Sequence, residues 1–355
     1  MLGVGIIGCG AISSMHIGAY LDCPRTQIRA VASRSESSAR RAGERLGVPW
    51  YTEYQAMLDR GDIDLVSICT PSGLHMEPAL YAAERGIHVI VEKPIEITTE
   101  RIDRMIAACD RHHVVLSCIF NNRFSDAHGF LKQAVQAGRF GKLINVNVSV
   151  RWYRKPEYYS ASPWHGTLAL DGGGALMNQG IHYVDLMQWL AGPVDSVFAY
   201  TGTLLHRSIE AEDTAVACLR FSSGALGTLI GTTSSYPGYP AELQLTGERG
   251  SAIITDGAIT AWSFRDEDPL DERARALMAR GSEKNNRSAD PMAFAMENHC
   301  RQIARVAEAI ETAAPVDVDG REARKSVSII EAIYRSAATH AEQALRGSAS
   351  TSPTC

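Results

Sequence analysis

The chain has 355 residues, 45% of them apolar and 21% charged, with a formal net charge of -5. That length exceeds what one hydrophobic core usually supports, so two domains are expected. The mild acidity gives nucleic acid or an anionic membrane no reason to bind, which leaves a small molecule as the expected ligand.

The N-terminus opens directly into Gly-Val-Gly-Ile-Ile-Gly, with no basic leader and no long apolar run. Neither a signal peptide nor a membrane span is expected, and the cytoplasm is the expected compartment. Eight cysteines are scattered without a C-x-x-C pair. They read as reduced core residues, which predicts neither a metal site nor a disulfide frame.

Residues 2–7 predict a strand, Gly8-Cys9-Gly10-Ala11-Ile12-Ser13 a tight turn, and residues 14–21 a helix. A dinucleotide fingerprint requires this context. Gly8 would permit the turn and Gly10 a close backbone approach to a pyrophosphate, with Ala11 and Ile12 leading into the positive end of the helix. An ordinary strand-to-helix turn is the alternative, since Ser13 replaces the third glycine.

A second strand over residues 28–32 leads into a polar helix over 37–46. Where an acid would grip the ribose of NAD, Ser33 and Arg34 stand. A hydroxyl and a guanidinium would accept a 2′-phosphate, so the residue types favour NADP over NAD. In the alternative, Arg34 is a solvated turn residue and Glu36 holds an NAD ribose.

Strands over residues 49–52 and 64–70 follow, the latter ending in Thr70-Pro71 with His75 opening the next helix. That turn would lie against the nicotinamide half of the cofactor, and His75 reads equally as a cap. The run His-Val-Ile-Val-Glu-Lys-Pro from His88 to Pro94 reads as a buried parallel strand that stops at a lysine. In open α/β sheets the ligand lies outside the carboxyl ends of the strands, so Lys93, flanked by Glu92 and Pro94, would face it. Pro94 biases Lys93 toward extended geometry. A helix over 98–111, with Thr99 as its cap, and a strand over 114–120 complete a doubly wound parallel sheet within residues 1–121.

The pattern then changes. After a helix over 126–136, alternating segments at 144–151, 196–204, 214–220, 226–233, 241–246 and 251–254 predict a mostly antiparallel sheet. Helices over 292–313 and 321–345 close an α+β domain spanning 122–345, and the polar tail 346–355 is expected to be disordered. Between the first two of these strands lies Asp171-Gly172-Gly173-Gly174, then a helix from Ala175 to Leu190. Asn178 and His182 are four apart and share a face of it, with Asp185 a turn further. Alone, His182 reads as a satisfied core histidine; together with Lys93 it reads as part of a site. The aromatic and basic segment 151–165 offers Trp152, Tyr153, Trp164 and His165, with Arg123 before it, to stack on sugar faces and bind hydroxyls or carboxylates. A dimer interface would use the same residues.

Taken together, Gly8-Cys9-Gly10, Thr70-Pro71 with His75, Glu92-Lys93-Pro94, and Asp171-Gly-Gly-Gly through Asn178 to His182 and Asp185 resemble the Gfo/Idh/MocA oxidoreductases over nearly the whole chain. The resemblance implies an N-terminal Rossmann domain and a C-terminal domain with a large open sheet, which pairs copies into homodimers or homotetramers. It also implies NAD(P)-linked oxidation or reduction of a sugar, glycoside or cyclitol carbon. By the same resemblance, Lys93 and His182 contact the reacting hydroxyl, where family members carry an aspartate in place of Asn178. An amide takes up no proton near neutrality, so Asn178 would orient a hydroxyl or His182 and leave proton transfer to Lys93 and His182. Ser33-Arg34 resembles the NADP-using branches and makes dehydrogenases of nucleotide-linked sugar acids the weaker match. Dehydrogenation of a nucleotide-linked sugar or a trans-dihydrodiol remains an alternative. So does an NADP-binding sensor without turnover, although a sensor needs no proton relay.

Overall fold

The structure is a computed structural model and describes residues 1–284 and 291–345. In its first part strands and helices alternate: β1 (Leu2–Ile7), α1 (Ser13–Asp22), β2 (Thr26–Ala32), α2 (Glu36–Leu46), β3 (Trp50–Tyr51), α3 (Tyr54–Leu58), β4 (Leu65–Ile68), α4 (Met76–Ala83), β5 (His88–Val91), α5 (Thr99–Arg111) and β6 (Leu116–Cys118). The six strands pair in parallel in the order β3-β2-β1-β4-β5-β6. Val4, Ile6, Leu65, Val66, Ile68, Val89, Ile90 and Val91 are all fully buried, as strands covered by helices on both faces require. The strand order reverses between β1 and β4, which is where such sheets open a crevice.

α5 buries Ile102, Met105, Ala108 and Cys109, a stripe at helical spacing. Its cap is Thr98, one residue before the expected Thr99. Thr98 is extended, at φ -136° and ψ 148°, and its Oγ1 accepts the Arg101 N–H, whereas Thr99 already lies inside the helix.

In the second part come α6 (Asp126–Gln136), β7 (Leu143–Arg151), α7 (Pro156–Ser160), a π-helical turn (Ala175–Gly180) running into α8 (Ile181–Ala191), and β8 (Val194–Gly202). β9 (Thr214–Phe221), β10 (Leu226–Thr232), β11 (Glu242–Gly247), β12 (Gly250–Thr255), β13 (Ala258–Phe264) and α9 (Leu270–Lys284) follow, and the chain closes with α10 (Pro291–Thr312), α11 (Gly320–Thr339) and β14 (Gln343–Ala344). The eight-stranded sheet runs β13-β12-β11-β7-β10-β9-β8-β14, antiparallel except for the β7–β10 pair. Buried and exposed residues alternate along β9 and β10, so one face of the sheet is covered and the other open.

β13, α9 and β14 were not anticipated from the sequence. The last helix stops at Thr339 instead of continuing to 345, because His340 takes a left-handed φ of 55° and Gln343–Ala344 then pairs with β8. The tail expected beyond 345 lies outside the described residues.

The chain forms two compact units: Met1–Ser125 with Leu168–Gly172 and Arg287–Val327, and Asp126–Thr167 with Gly173–Asn286 and Ser328–Cys355. Where a single cut after residue 121 was expected, the chain returns to the first unit. α10 packs on α1, and Gln302 both accepts the Phe120 N–H and donates to the Cys118 carbonyl. Among the described residues, no helix is long and apolar enough to cross a membrane.

Candidate active site

At the carboxyl edge of the parallel sheet, four loops leave β1, β2, β4 and β5. Gly8 takes φ +93°, and a Cβ there would lie 2.6 Å from the Cys69 carbonyl oxygen, so both conformation and space demand glycine. Gly10 differs: a Cβ on it would meet nothing within 4 Å, so nothing in the chain itself requires glycine there. α1 begins just beyond the exposed Ala11 and Ile12, with no side-chain cap and no acid in its first turn. The Ser14 and Met15 N–H groups turn back to the Ala11 and Ile12 carbonyls, and the positive end of the helix with its open approach fits the diphosphate of a dinucleotide. At the end of β2, Ser33 is half-buried and donates its N–H to the Tyr51 carbonyl, while Arg34 is exposed.

After β4, Thr70 and Pro71 are half-buried and His75 is buried. The His75 ring joins two of the loops: Nε2 lies 2.9 Å from the Thr70 carbonyl oxygen, and Nδ1 lies 3.0 Å from that of Pro94 and 3.3 Å from that of Ile95. From Val89 to Glu96 every residue is buried except Lys93, and the Lys93–Pro94 peptide is cis.

Lys93 is anchored from behind by a pair that the sequence reading missed. Glu92 is buried; its Oε2 accepts the Lys93 N–H at 2.9 Å and its Oε1 lies 3.0 Å from Nε2 of His16 on α1. Nδ1 of His16 meets Ser67 Oγ at 2.6 Å, and His299 of α10 sets its ring against His16 edge-on at 4.4 Å. Burial opposes both charges. The pair nevertheless holds Glu92 well below the usual carboxylate range through its hydrogen bond to His16, and Cys69 and Glu92 hold His16 well above the usual imidazole range.

In the second unit, the segment from Gly173 to Ala191 is buried except at Asn178, His182 and Trp189. Asn178 and His182, four residues apart, are therefore half-buried on one face of a helix whose other positions up to Gln188 are core, with Asp185 buried a turn beyond. The helix predicted from Ala175 is π-helical over its first six residues, Ala175–Gly180. Such wider turns recur at functional sites.

The triple glycine serves the chain itself. A Cβ on Gly173 would strike the Tyr334 hydroxyl, and one on Gly174 would strike the Glu212 carbonyl. The Glu212 carboxylate accepts the N–H groups of Gly174 at 2.9 Å and Leu176 at 2.8 Å and the Tyr334 hydroxyl at 3.0 Å. Burial pushes this carboxyl up to about 7 against those three donors. Nothing in the sequence around Glu212 marked it out.

The aromatic segment lies against the same helix. Trp152 meets the Tyr183 ring edge-on, and the Tyr158 hydroxyl accepts a hydrogen bond from Gln179 Nε2 at 3.0 Å. His165 stacks on Tyr158 at 4.4 Å with Trp164 beside it, and Arg154 reaches over the Trp152 and Tyr158 rings. Tyr153 packs edge-on against Tyr236. Arg123, expected at the substrate, belongs to the first unit; it is buried there, with its guanidinium 3.0 Å from Glu322 Oε1.

A Rossmann sheet with an open glycine turn, and a second domain in which a largely buried helix keeps an amide and an imidazole half-buried on one face, define an NAD(P)-linked oxidoreductase. The sequence matches two family models, "Oxidoreductase family, NAD-binding Rossmann fold" over residues 2–120 and "GFO/IDH/MocA C-terminal domain" over 129–253. It is 35% identical to the WlbA dehydrogenase from Bordetella pertussis, whose crystal structure holds NADH and UDP-GlcNAcA; the match covers 98% of each chain with a TM-score of 0.90. Among curated relatives, myo-inositol 2-dehydrogenase from Thermotoga maritima is 29% identical over 74% of this chain and 78% of its own. D-xylose 1-dehydrogenase (NADP(+)) 2 from Haloferax volcanii is 26% identical over 95% and 98%. The chain belongs to the GFO/IDH/MocA family and is an oxidoreductase of the sugar and cyclitol dehydrogenase type.

Proposed function

We propose that this chain oxidises a ring hydroxyl of a UDP-linked sugar acid with NAD, with Lys93 and His182 handling the proton. The observation that carries the reading is accessibility: Lys93 alone is half-buried between buried neighbours at its strand end, and Asn178 and His182 are half-buried on one face of the buried helix. When bound, the dinucleotide supplies the hydride acceptor at C4 of its nicotinamide. Lys93 Nζ or the His182 imidazole takes the hydroxyl proton as the C–H bond breaks, and returns it in reduction. Asn178 has no proton to exchange and orients the hydroxyl or the imidazole.

Glu92 keeps the Lys93 backbone in place, while Gly8, Gly10, Ala11 and Ile12 receive the diphosphate. Thr70, Pro71, His75 and Pro94 shape the nicotinamide end. Trp152, Tyr153, Trp164 and His165 offer flat faces to the sugar. Arg123, read from the sequence as a substrate contact, lies in the first unit and is held there by Glu322.

Sugar class and cofactor follow the likeness to the Bordetella enzyme, which spans 98% of both chains. This reverses the order set by Ser33 and Arg34, which pointed to NADP and a free sugar or cyclitol. The test is a matrix of NAD and NADP against UDP-linked sugar acids, free pentoses and hexoses, and inositols. The expected result is a kcat/KM at least about tenfold higher for NAD with a UDP-sugar acid, a difference of about 1.4 kcal/mol in transition-state stabilisation. A preference for inositol, xylose or NADP overturns the corresponding part. No turnover and no hydride exchange with any pair restores the sensor reading. Copies of the chain pair through the open face of the eight-stranded sheet, supported by the exposed Tyr200, Val216 and Leu226 on β8, β9 and β10; light scattering at the mass of a monomer would refute this.

A further inference from the structure

The first N–H groups of a helix have no partner within it and need acceptors from elsewhere. At the start of the π-helical turn no local side chain caps, and three successive donors turn to one residue 36 to 38 positions away. The Gly174 N–H goes to Glu212 Oε2, the Ala175 N–H to the Glu212 carbonyl at 2.9 Å, and the Leu176 N–H to Glu212 Oε1. Glu212 is itself held firmly. Tyr334 donates to Oε1, and the neighbouring Asp213 is fully buried, accepting the N–H groups of Leu205 and His206 and the Thr214 hydroxyl. The Asp213 carbonyl accepts the Thr233 N–H, and the Thr233 hydroxyl meets that of Tyr159 in the aromatic segment at 2.8 Å. The glycines at 173 and 174 are what let Tyr334 and Glu212 come this close.

We propose that Glu212 is the positioning residue of the site: by capping Gly174, Ala175 and Leu176 together, it fixes the rotation of the turn and so the direction in which Asn178 and His182 face. This rests on the reading that those two residues act on the substrate. A carboxylate suits the task because it offers two acceptor atoms to donors on both sides. An amide of the same shape keeps one acceptor and turns an NH2 group toward a backbone N–H. The substrate and dinucleotide need not touch Glu212 for its loss to slow turnover, since a misplacement of about 1 Å at a reacting group costs about 10²-fold.

The experiment compares Glu212→Gln, Glu212→Ala and Tyr334→Phe in the full chain. Ile254→Ala, a buried change on β12, serves as a control that lowers thermal stability without touching the turn. Two readouts are taken: hydrogen exchange of the peptide covering residues 173–182 without ligands, and kcat with dinucleotide affinity. Glu212→Gln should speed exchange in that peptide and lower kcat by about tenfold, and Glu212→Ala by about 10²-fold, with dinucleotide affinity within twofold of the parent. Tyr334→Phe should give a smaller change of the same kind, and it carries the test if both Glu212 variants fail to fold. The control should lose stability and keep kcat. Unchanged exchange in the Glu212 variants, or a kcat that falls equally in the control, overturns the proposal. If the parent chain turns over no substrate, the dehydrogenase reading fails by itself, and exchange alone decides whether Glu212 sets the turn.

Discussion

At the scale of single residues, the reading turns on an amine and an imidazole that stay accessible where their neighbours are buried. Lys93→Met and His182→Ala remove a proton carrier and leave the dinucleotide edge intact. Each should lower kcat by about 10² to 10⁴-fold, the usual contribution of general acid–base catalysis, with dinucleotide affinity retained. Turnover retained in both variants would end the assignment.

Behind Lys93, the buried His16–Glu92 pair makes a different prediction. His16→Ala leaves the Glu92 carboxylate uncompensated in the core and should cost about 3 to 5 kcal/mol of stability, read by urea unfolding. The signs of the two shifts fix the pH window. Glu92 is held low, so its contribution is present above the ordinary 4.5 and lost as pH falls through its depressed value. His16 is held high, so its contribution is present below the ordinary 6.5 and lost as pH rises through its elevated value. The stability difference between parent and His16→Ala should therefore be greatest between pH 4.5 and 6.5. A flat difference from pH 3 to 10 would mean that the pair is not ionised. Lys93 and His182 could be singled out in the sequence because they stand in short, distinctive motifs. His16 was not, because one histidine in an apolar helix carries no local sign of the glutamate 76 positions on.

At the scale of elements, helix starts near the site are capped from a distance. The Met76 N–H at the head of α4 goes to Oε2 of Glu96, which is fully buried, also accepts the Ile97 N–H and pairs with Arg101 at 3.2 Å. Glu96→Ala strips all three and should destabilise the fold by about 1 to 3 kcal/mol, less than a fully buried pair because Arg101 keeps Glu77 and partial solvent access. A change in urea midpoint indistinguishable from that of Glu100→Ala, an exposed position on α5, would show that the distant cap contributes nothing.

Local caps such as Thr98 can be read to within a residue, because the rule is written in neighbouring positions. Caps supplied 20 or 36 residues away cannot be read at all. The same locality explains the other differences. The π-helical turn shares its apolar spacing with an ordinary helix, so no local period marks the wider winding. β13 mixes buried and exposed residues without strict alternation, and β14 is two residues long, so neither gives a period to detect.

At the scale of the whole molecule, the parallel sheet and the alternation of strands and helices in the first unit were legible because buried parallel strands write themselves as β-branched runs between turn residues. The division into units was not, since α10 returns to α1 through contacts that no local pattern encodes. That division separates the two halves of the proposed chemistry, and binding and turnover should separate with it. A ligand at 100 times its dissociation constant stabilises the protein that binds it by about 2.7 kcal/mol, so saturating dinucleotide should raise the Tm of the parent measurably. His182→Ala belongs to the second unit and should keep the whole of that rise while losing turnover. Gly10→Ala should do the reverse. Its added methyl meets no atom of the chain within 4 Å, so the unliganded Tm should stay within about a degree of the parent. The methyl nevertheless fills the space that a diphosphate needs above the start of α1, so the dinucleotide-induced rise should shrink or vanish. Differential scanning fluorimetry of the three proteins, with and without NAD, decides the matter. A full rise in Gly10→Ala would move the diphosphate away from the first glycine turn, and with it the geometry on which Lys93 depends.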